Sequence, residues 1–121
     1  MNIFKSKFGN TKFHIFIANN NSTELYRELD LVDNKKIFFL NCIDSIKNTL
    51  LHKASFHNNI EVCSYLIKAG HDLDCQNLNG QTPLHLAYMN NFESLINLLL
   101  ESGSSIDIKD NNNLKPIDVK L

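Results

Sequence analysis

A stretch of this 121-residue chain repeats itself 33 residues later, and that interval constrains the fold more than any other feature. Thr49-Leu-Leu-His-Lys-Ala54 recurs as Thr82-Pro-Leu-His-Leu-Ala87, and a fainter echo, Lys115-Pro-Ile-Asp118, follows after the same interval. Gly70 and Gly103, Leu66 and Leu99, and Asp74 and Asp107 keep the same register. A fixed period of this size is the signature of a solenoid, in which stacked units share one continuous core. Stacks of this kind bind, and they seldom catalyse.

The clearest unit reads as two short helices and a turn. Thr82 is placed to N-cap a helix, and Pro83 stands at the first helical position, where its missing N–H costs nothing. Leu84 and Ala87, with Leu86 or Tyr88, face inward, and Asn90-Asn91 ends the helix. A second helix from about Phe92 to Ser102 carries Leu95, Ile96, Leu98, Leu99 and Leu100 at helical spacing. Gly103 closes it in the left-handed conformation. A short extended run, Ile106-Asp107-Ile108, leads into a turn over 110–113 that projects as a finger. The preceding unit repeats each part: Thr49 caps, Leu50 replaces the proline, Val62, Tyr65, Leu66 and Ile67 line the second helix, and Gly70 caps it. Gly80 supplies the positive φ that a tight finger turn requires, and Asn113 stands at that position one unit later.

A T-P-L-H-x-A signature on a 33-residue period resembles the ankyrin repeat family. The resemblance implies an all-α ankyrin-repeat solenoid of about three to three and a half repeats. The expected divisions of this single domain (1–121) are a degenerate N-terminal repeat at 12–46, repeats at 47–79 and 80–112, and a truncated C-terminal repeat at 113–121. It also implies that His52 and His85 bond the Thr hydroxyl and the next finger's backbone, tying units together. In the degenerate repeat Ala18 is aligned with Ala54 and Ala87, Asn19–Asn21 with the inter-helix turn, Thr23–Leu31 with the second helix, and Asn34 with Gly70 and Gly103. The interval from Asn34 to Thr49 exceeds that from Gly70 to Thr82 by three residues. An insertion in the first finger is therefore expected over Lys35–Cys42, a stretch more apolar than a solvent-facing finger should be. Met1–Thr11, with Phe4 and Phe8 a turn apart, is expected to fold over the near end of the stack. The far end stops part-way through what would be another first helix. It reads as a minimal cap, as a fragment, or as an open end that packs on another molecule.

With 43% apolar residues the chain has enough to bury the core of one domain. A net charge of −1 gives no general pull toward nucleic acid or an anionic membrane. Cys42, Cys63 and Cys75 form no CxxC pair, and an odd count argues against a closed disulfide framework, so a reducing compartment is expected. The N-terminal apolar run is too short and interrupted for a signal peptide or a spanning helix. The expected location is cytoplasmic, in the cell that made the protein or in a host cell. Asn runs (19–21, 58–59, 90–91, 111–113) all fall where the register puts turns, which Asn suits because it tolerates the left-handed conformation. The same Asn, Lys and Ile usage resembles proteins of AT-rich genomes, and with it a pathogen effector.

No Gly-rich phosphate loop, paired-carboxylate arrangement or nucleophile elbow occurs, so no catalytic residue and no cofactor is expected. His57 and His71 with the cysteines lack the paired spacing of a zinc site, and no metal is expected. Lys5, Lys7 and Lys12 interleaved with Phe4, Phe8 and Phe13 make a basic-aromatic strip too sparse for nucleic acid. A protein partner is expected in the concave groove. The finger-tip candidates are Ser45, Ile46 and Asn48; Leu78, Asn79 and Gln81; and Asn111, Asn112 and Leu114. From the first helices come Phe56 with His57, and Met89 with Asn90. Phe56, Leu78 and Met89 are large apolar groups where packing within a unit does not require them, and such clusters rimmed by polar residues mark partner sites. The expected function is non-catalytic protein binding as adaptor, inhibitor or scaffold. The alternative is an assembly role, with self-association through the uncapped C-terminal end.

Overall fold

The structure, a computed structural model, describes residues 11–119. Those residues form seven α-helices: α1 (Lys12–Ala18), α2 (Ser22–Leu29), α3 (Lys35–Asn41), α4 (Leu50–Phe56), α5 (Ile60–Lys68), α6 (Pro83–Met89) and α7 (Glu93–Glu101). A single 3-10 turn follows at Pro116–Asp118. An inner row runs α1, α4, α6 and then the 3-10 turn, each packed on the next. The outer helices α2, α5 and α7 lie against the inner helix of their own unit. Between the rows sit Leu25, Leu29, Leu50, Leu51, Val62, Leu66, Leu84, Leu95 and Leu99, all at most 1% exposed. Of the aligned leucines of α7, Leu98 is half-buried and Leu100 is at the surface.

Local chemistry explains why such short helices stop and start where they do. Isolated helices of two turns are unstable in water, so caps and packing must hold them. Thr49 and Thr82 each accept from the N–H three residues on, and His52 and His85 return a bond to the cap's own N–H. Asn20, Asn58 and Asn91 take φ of 57°, 54° and 55° at the inner-to-outer turns. Asn21 and Asn59 then cap α2 and α5 through their side chains. Each Asn run is thus accounted for by turn geometry, including Asn113 at φ 65° in the last finger. On the outer face the rings of Tyr26 and Tyr65 stack 4.4 Å apart, and their hydroxyls donate to Glu61 and Asp30 respectively.

The first unit departs from expectation in three ways. Of the Lys35–Cys42 stretch expected as a finger insertion, Lys35–Asn41 is a helix, α3, and Cys42 is its C-cap. The Asn34 side chain accepts from Ile37 N–H at 3.2 Å, Phe39 is buried against the His71 ring, and Phe38 packs edge-on to Phe13. Asn34 takes φ −115° and caps a helix, so it does not play the part of Gly70 and Gly103, whose φ are 93° and 102°. Ala18 is exposed, whereas Ala54 and Ala87 are buried. The residue equivalent to those alanines is Phe16, whose carbonyl accepts from Asn21 as Ala54 does from Asn59 and Ala87 from Phe92. The register accordingly starts at Thr11 and His14. His14 to His52 spans 38 residues against 33 from His52 to His85, so the first unit is longer by five residues and not three. The expectation that Met1–Thr11 folds over the stack falls, up to residue 10, outside the described residues.

Candidate functional site

Three histidines fix the geometry of the inner face. The Nε2–H of His52 donates to the Gln81 carbonyl at 2.7 Å, and that of His85 donates to Leu114 at 2.9 Å. His14 makes the same bond to Asn48 at 2.7 Å. In His52 and His85 the Nδ1 accepts from the Thr N–H at 3.1 and 3.0 Å, which sets the neutral Nε2–H tautomer. Burial holds His52 down to about 4, because an imidazolium there would lose its hydration. These histidines are structural bridges between units, as the resemblance implied; His14 is a third one that the sequence reading did not single out.

Each bridge ends on a finger. Asp44, Asn77 and Asp110 stand 33 residues apart. The Oδ1 of each accepts from the N–H groups two and four residues on, at 2.8–3.0 Å. This closes a tight loop whose fourth residue takes positive φ: Lys47 (62°), Gly80 (76°) and Asn113 (65°). Spacing alone could have identified the three Asx residues, since a side-chain oxygen capping its own turn is what Asp and Asn do best. Lys47 carries no such signal. Neighbouring fingers are joined through backbone: Leu78 N–H donates to Ile46 and Asn111 N–H to Asn79, at 2.9 and 3.0 Å.

Where α4, α6 and the first two fingers meet there is a groove of about 290 Å³. Ile46, Phe56, Leu86 and Met89 supply its apolar lining, Asn48, Asn77 and Gln81 its amides, and His52 and Lys53 complete it. Of the residues expected to bind, it gathers Ile46, Asn48, Phe56, Gln81 and Met89. Phe56 is 56% exposed, and Ile46 is also exposed, so neither is consumed by the core. Leu78, although 53% exposed, sits at the second finger tip with Asn79 and does not line the groove. Ser45, Asn111, Asn112 and Leu114 are likewise on the finger surface.

His57 and Asn90 lie apart from it. His57 caps α4, meets the edge of the Phe56 ring at 5.2 Å and borders a separate depression with Ile17 and Ile60. Asn90 caps α6, and its amide donates to Leu86 at 3.2 Å.

The other chemical candidates resolve into structure. Among the described residues no group of three or more His, Cys, Asp or Glu is arranged to hold a metal. Cys63 is buried beside Ser55, and burial pushes its thiol up to about 12, away from reactivity. Lys12 pairs with Glu28 at 3.3 Å and Phe13 is in the core, while the rest of the N-terminal basic-aromatic strip lies outside the described residues. No helix among the described residues is long and apolar enough to cross a membrane.

Stacked helix pairs, Thr–His bridges and closed fingers define a repeat protein built for surface contact. The sequence matches the family of ankyrin repeats, three copies, over residues 13–112, and the chain belongs to that family. No curated protein matches it. Ankyrin repeats are generally protein–protein interaction modules.

Proposed function

We propose that this chain is a non-catalytic adaptor, inhibitor or scaffold that captures a protein partner in the groove between α4 and α6, with the finger tips as its rim. The observation that carries this reading is Phe56: more than half of a large aromatic side chain stands open beside Met89, Leu86 and Ile46. Interface energy concentrates in such anchors, surrounded by polar groups that exclude water. A photo-crosslinking residue placed at position 56 tests it against one at Asn97, an exposed site on α7. Discrete adducts at position 56 and none at 97 support the reading; the reverse pattern contradicts it. The cytosol, of the producing cell or of a host, is the setting we assign to this role, since a chain with three free cysteines suits a reducing medium.

A second reading, self-assembly, draws on the last unit. Leu84, Tyr88, Leu100, Ile106 and Ile117 surround a depression of about 280 Å³, and Ile106 and Ile117 are each 58% exposed. Light scattering over a concentration series separates the two readings: a constant monomer mass removes self-assembly.

A further inference from the structure

The polar side of the groove is a directed relay. Asp44 Oδ2 accepts from the Asn48 amide at 3.2 Å, and Asn48 Oδ1 accepts from the Asn77 amide at 2.9 Å. The same Asn77 nitrogen donates to Gln81 Oε1 at 3.0 Å. Because the relay starts at a carboxylate, which only accepts, every amide after it is oriented. Its last member, Gln81, has its carbonyl oxygen occupied, and its Nε2 makes no hydrogen bond to any described residue. The groove therefore offers an amide donor at one side. At another it offers Lys53, half-buried, beside Phe56 and in no ion pair among the described residues.

Charge on the paired helices is segregated in the same sense, whereas the fingers carry both signs, Asp44 with Lys47 and Asp110 with Lys109. The inner helices α1, α4 and α6 carry Lys12 and Lys53 and no carboxylate. The outer helices carry Glu24, Glu28, Glu61, Glu93 and Glu101 against Arg27 and Lys68. Lys12 is paired with Glu28, so among the described residues Lys53 is the cation of the inner helices that makes no ion pair. A net charge of −1 conceals this division.

We propose that the groove selects an acidic-apolar peptide segment of its partner. A large apolar side chain would seat between Phe56 and Met89, with an Asp or Glu carboxylate against Lys53 and a further carboxylate or carbonyl oxygen on the Gln81 amide. The inference rests on the groove being the binding face. It favours a peptide over nucleic acid because one ammonium on an apolar floor cannot follow a phosphate backbone, which needs a basic stripe. Electrostatic complementarity of this kind sets specificity more than total affinity.

The test uses the full chain and two fluorescein-labelled degenerate peptide pools. Both fix a leucine; one flanks it with glutamates, the other with lysines, and fluorescence anisotropy reads binding. The acidic pool should bind at least about tenfold tighter. That preference should vanish or invert in Lys53→Glu and shrink in Gln81→Glu, with helical circular dichroism unchanged in both. Equal affinity for the pools, binding of neither, or a preference that survives both substitutions overturns the proposal. If the pools bind equally and Phe56→Ala still removes binding, the groove stands as the site and its anionic selectivity alone is wrong; a preference that survives both substitutions removes Lys53 and Gln81 as its source. Competition by oligothymidylate for the groove overturns it in favour of a polyanion.

Discussion

The Nε2–H of His52 donates to the carbonyl oxygen of Gln81 at 2.7 Å, so an imidazole from one unit is a structural member of the next unit's finger. His52 is fully buried, and its other nitrogen accepts from Thr49 N–H at 3.1 Å. Removing the ring strands a buried carbonyl and a buried N–H, each costing about 1–3 kcal/mol. His52→Ala is therefore expected to lose about 2–5 kcal/mol in urea unfolding, and His85→Ala a similar amount. A loss under about 1 kcal/mol for both would mean that the bridges are incidental.

The same histidine makes stability depend on pH. Its folded value of about 4 lies below the ordinary 6.5, so between these the unfolded chain takes up a proton that the folded chain refuses. Stability should be full above about pH 6.5, fall by roughly 3 kcal/mol as pH drops to about 4, and level off below. Burial lowers His71 in the same direction and adds to the slope. Urea midpoints at pH 7 and pH 5, compared with those of His52→Gln, check the sign: the variant should show a shallower fall.

Leu66 and Leu99 occupy equivalent positions in α5 and α7 and are both 0% exposed. Leu66→Ala or Leu99→Ala should each cost about 2–5 kcal/mol, since a cavity opens between the rows. Midpoints that barely move would show the register to be wrong.

The sequence announced most of this stack because its units obey one rule twice over: Thr caps, His three residues later, Asn at the turn, Gly after the outer helix. Where residues changed but the rule held, the signal faded. Phe16 stands in place of a buried alanine, Lys47 takes the left-handed position that Gly80 fills one unit on, and Thr11–His14 lacks the leucine-alanine context of its counterparts. The period carries no sign of helix α3, since surplus length between repeating units falls outside the repeat; its helical character lies in the Asn34 cap and in Phe39. Of the site, the large apolar residues were legible as misfits to packing. The relay from Asp44 to Gln81 was not, because it joins two fingers whose approach only the folded stack creates.

Phe39 is the buried residue of α3, 3% exposed with its ring 4.8 Å from that of His71, and Phe38 beside it packs edge-on to Phe13. Phe39→Ala should release α3, at a cost of about 3–5 kcal/mol. Hydrogen exchange locates the effect: amides of 38–41 should lose protection while those of α6 and α7 keep theirs. Uniform loss along the chain would mean that α3 is integral to the whole core.

The most direct test of the account is the affinity of the partner recovered by crosslinking at position 56, measured by calorimetry against two variants. Phe56→Ala with Met89→Ala removes the exposed Phe56 and the half-buried Met89 from the groove, while a triple change at Glu61, Lys68 and Asn97 alters the exposed outer surface. The groove variant should keep its helical content and bind about a hundredfold or more weaker, and the outer variant should bind nearly as the native chain does. Loss of binding by the outer variant with the groove variant unaffected would place the partner on the convex face and contradict the account.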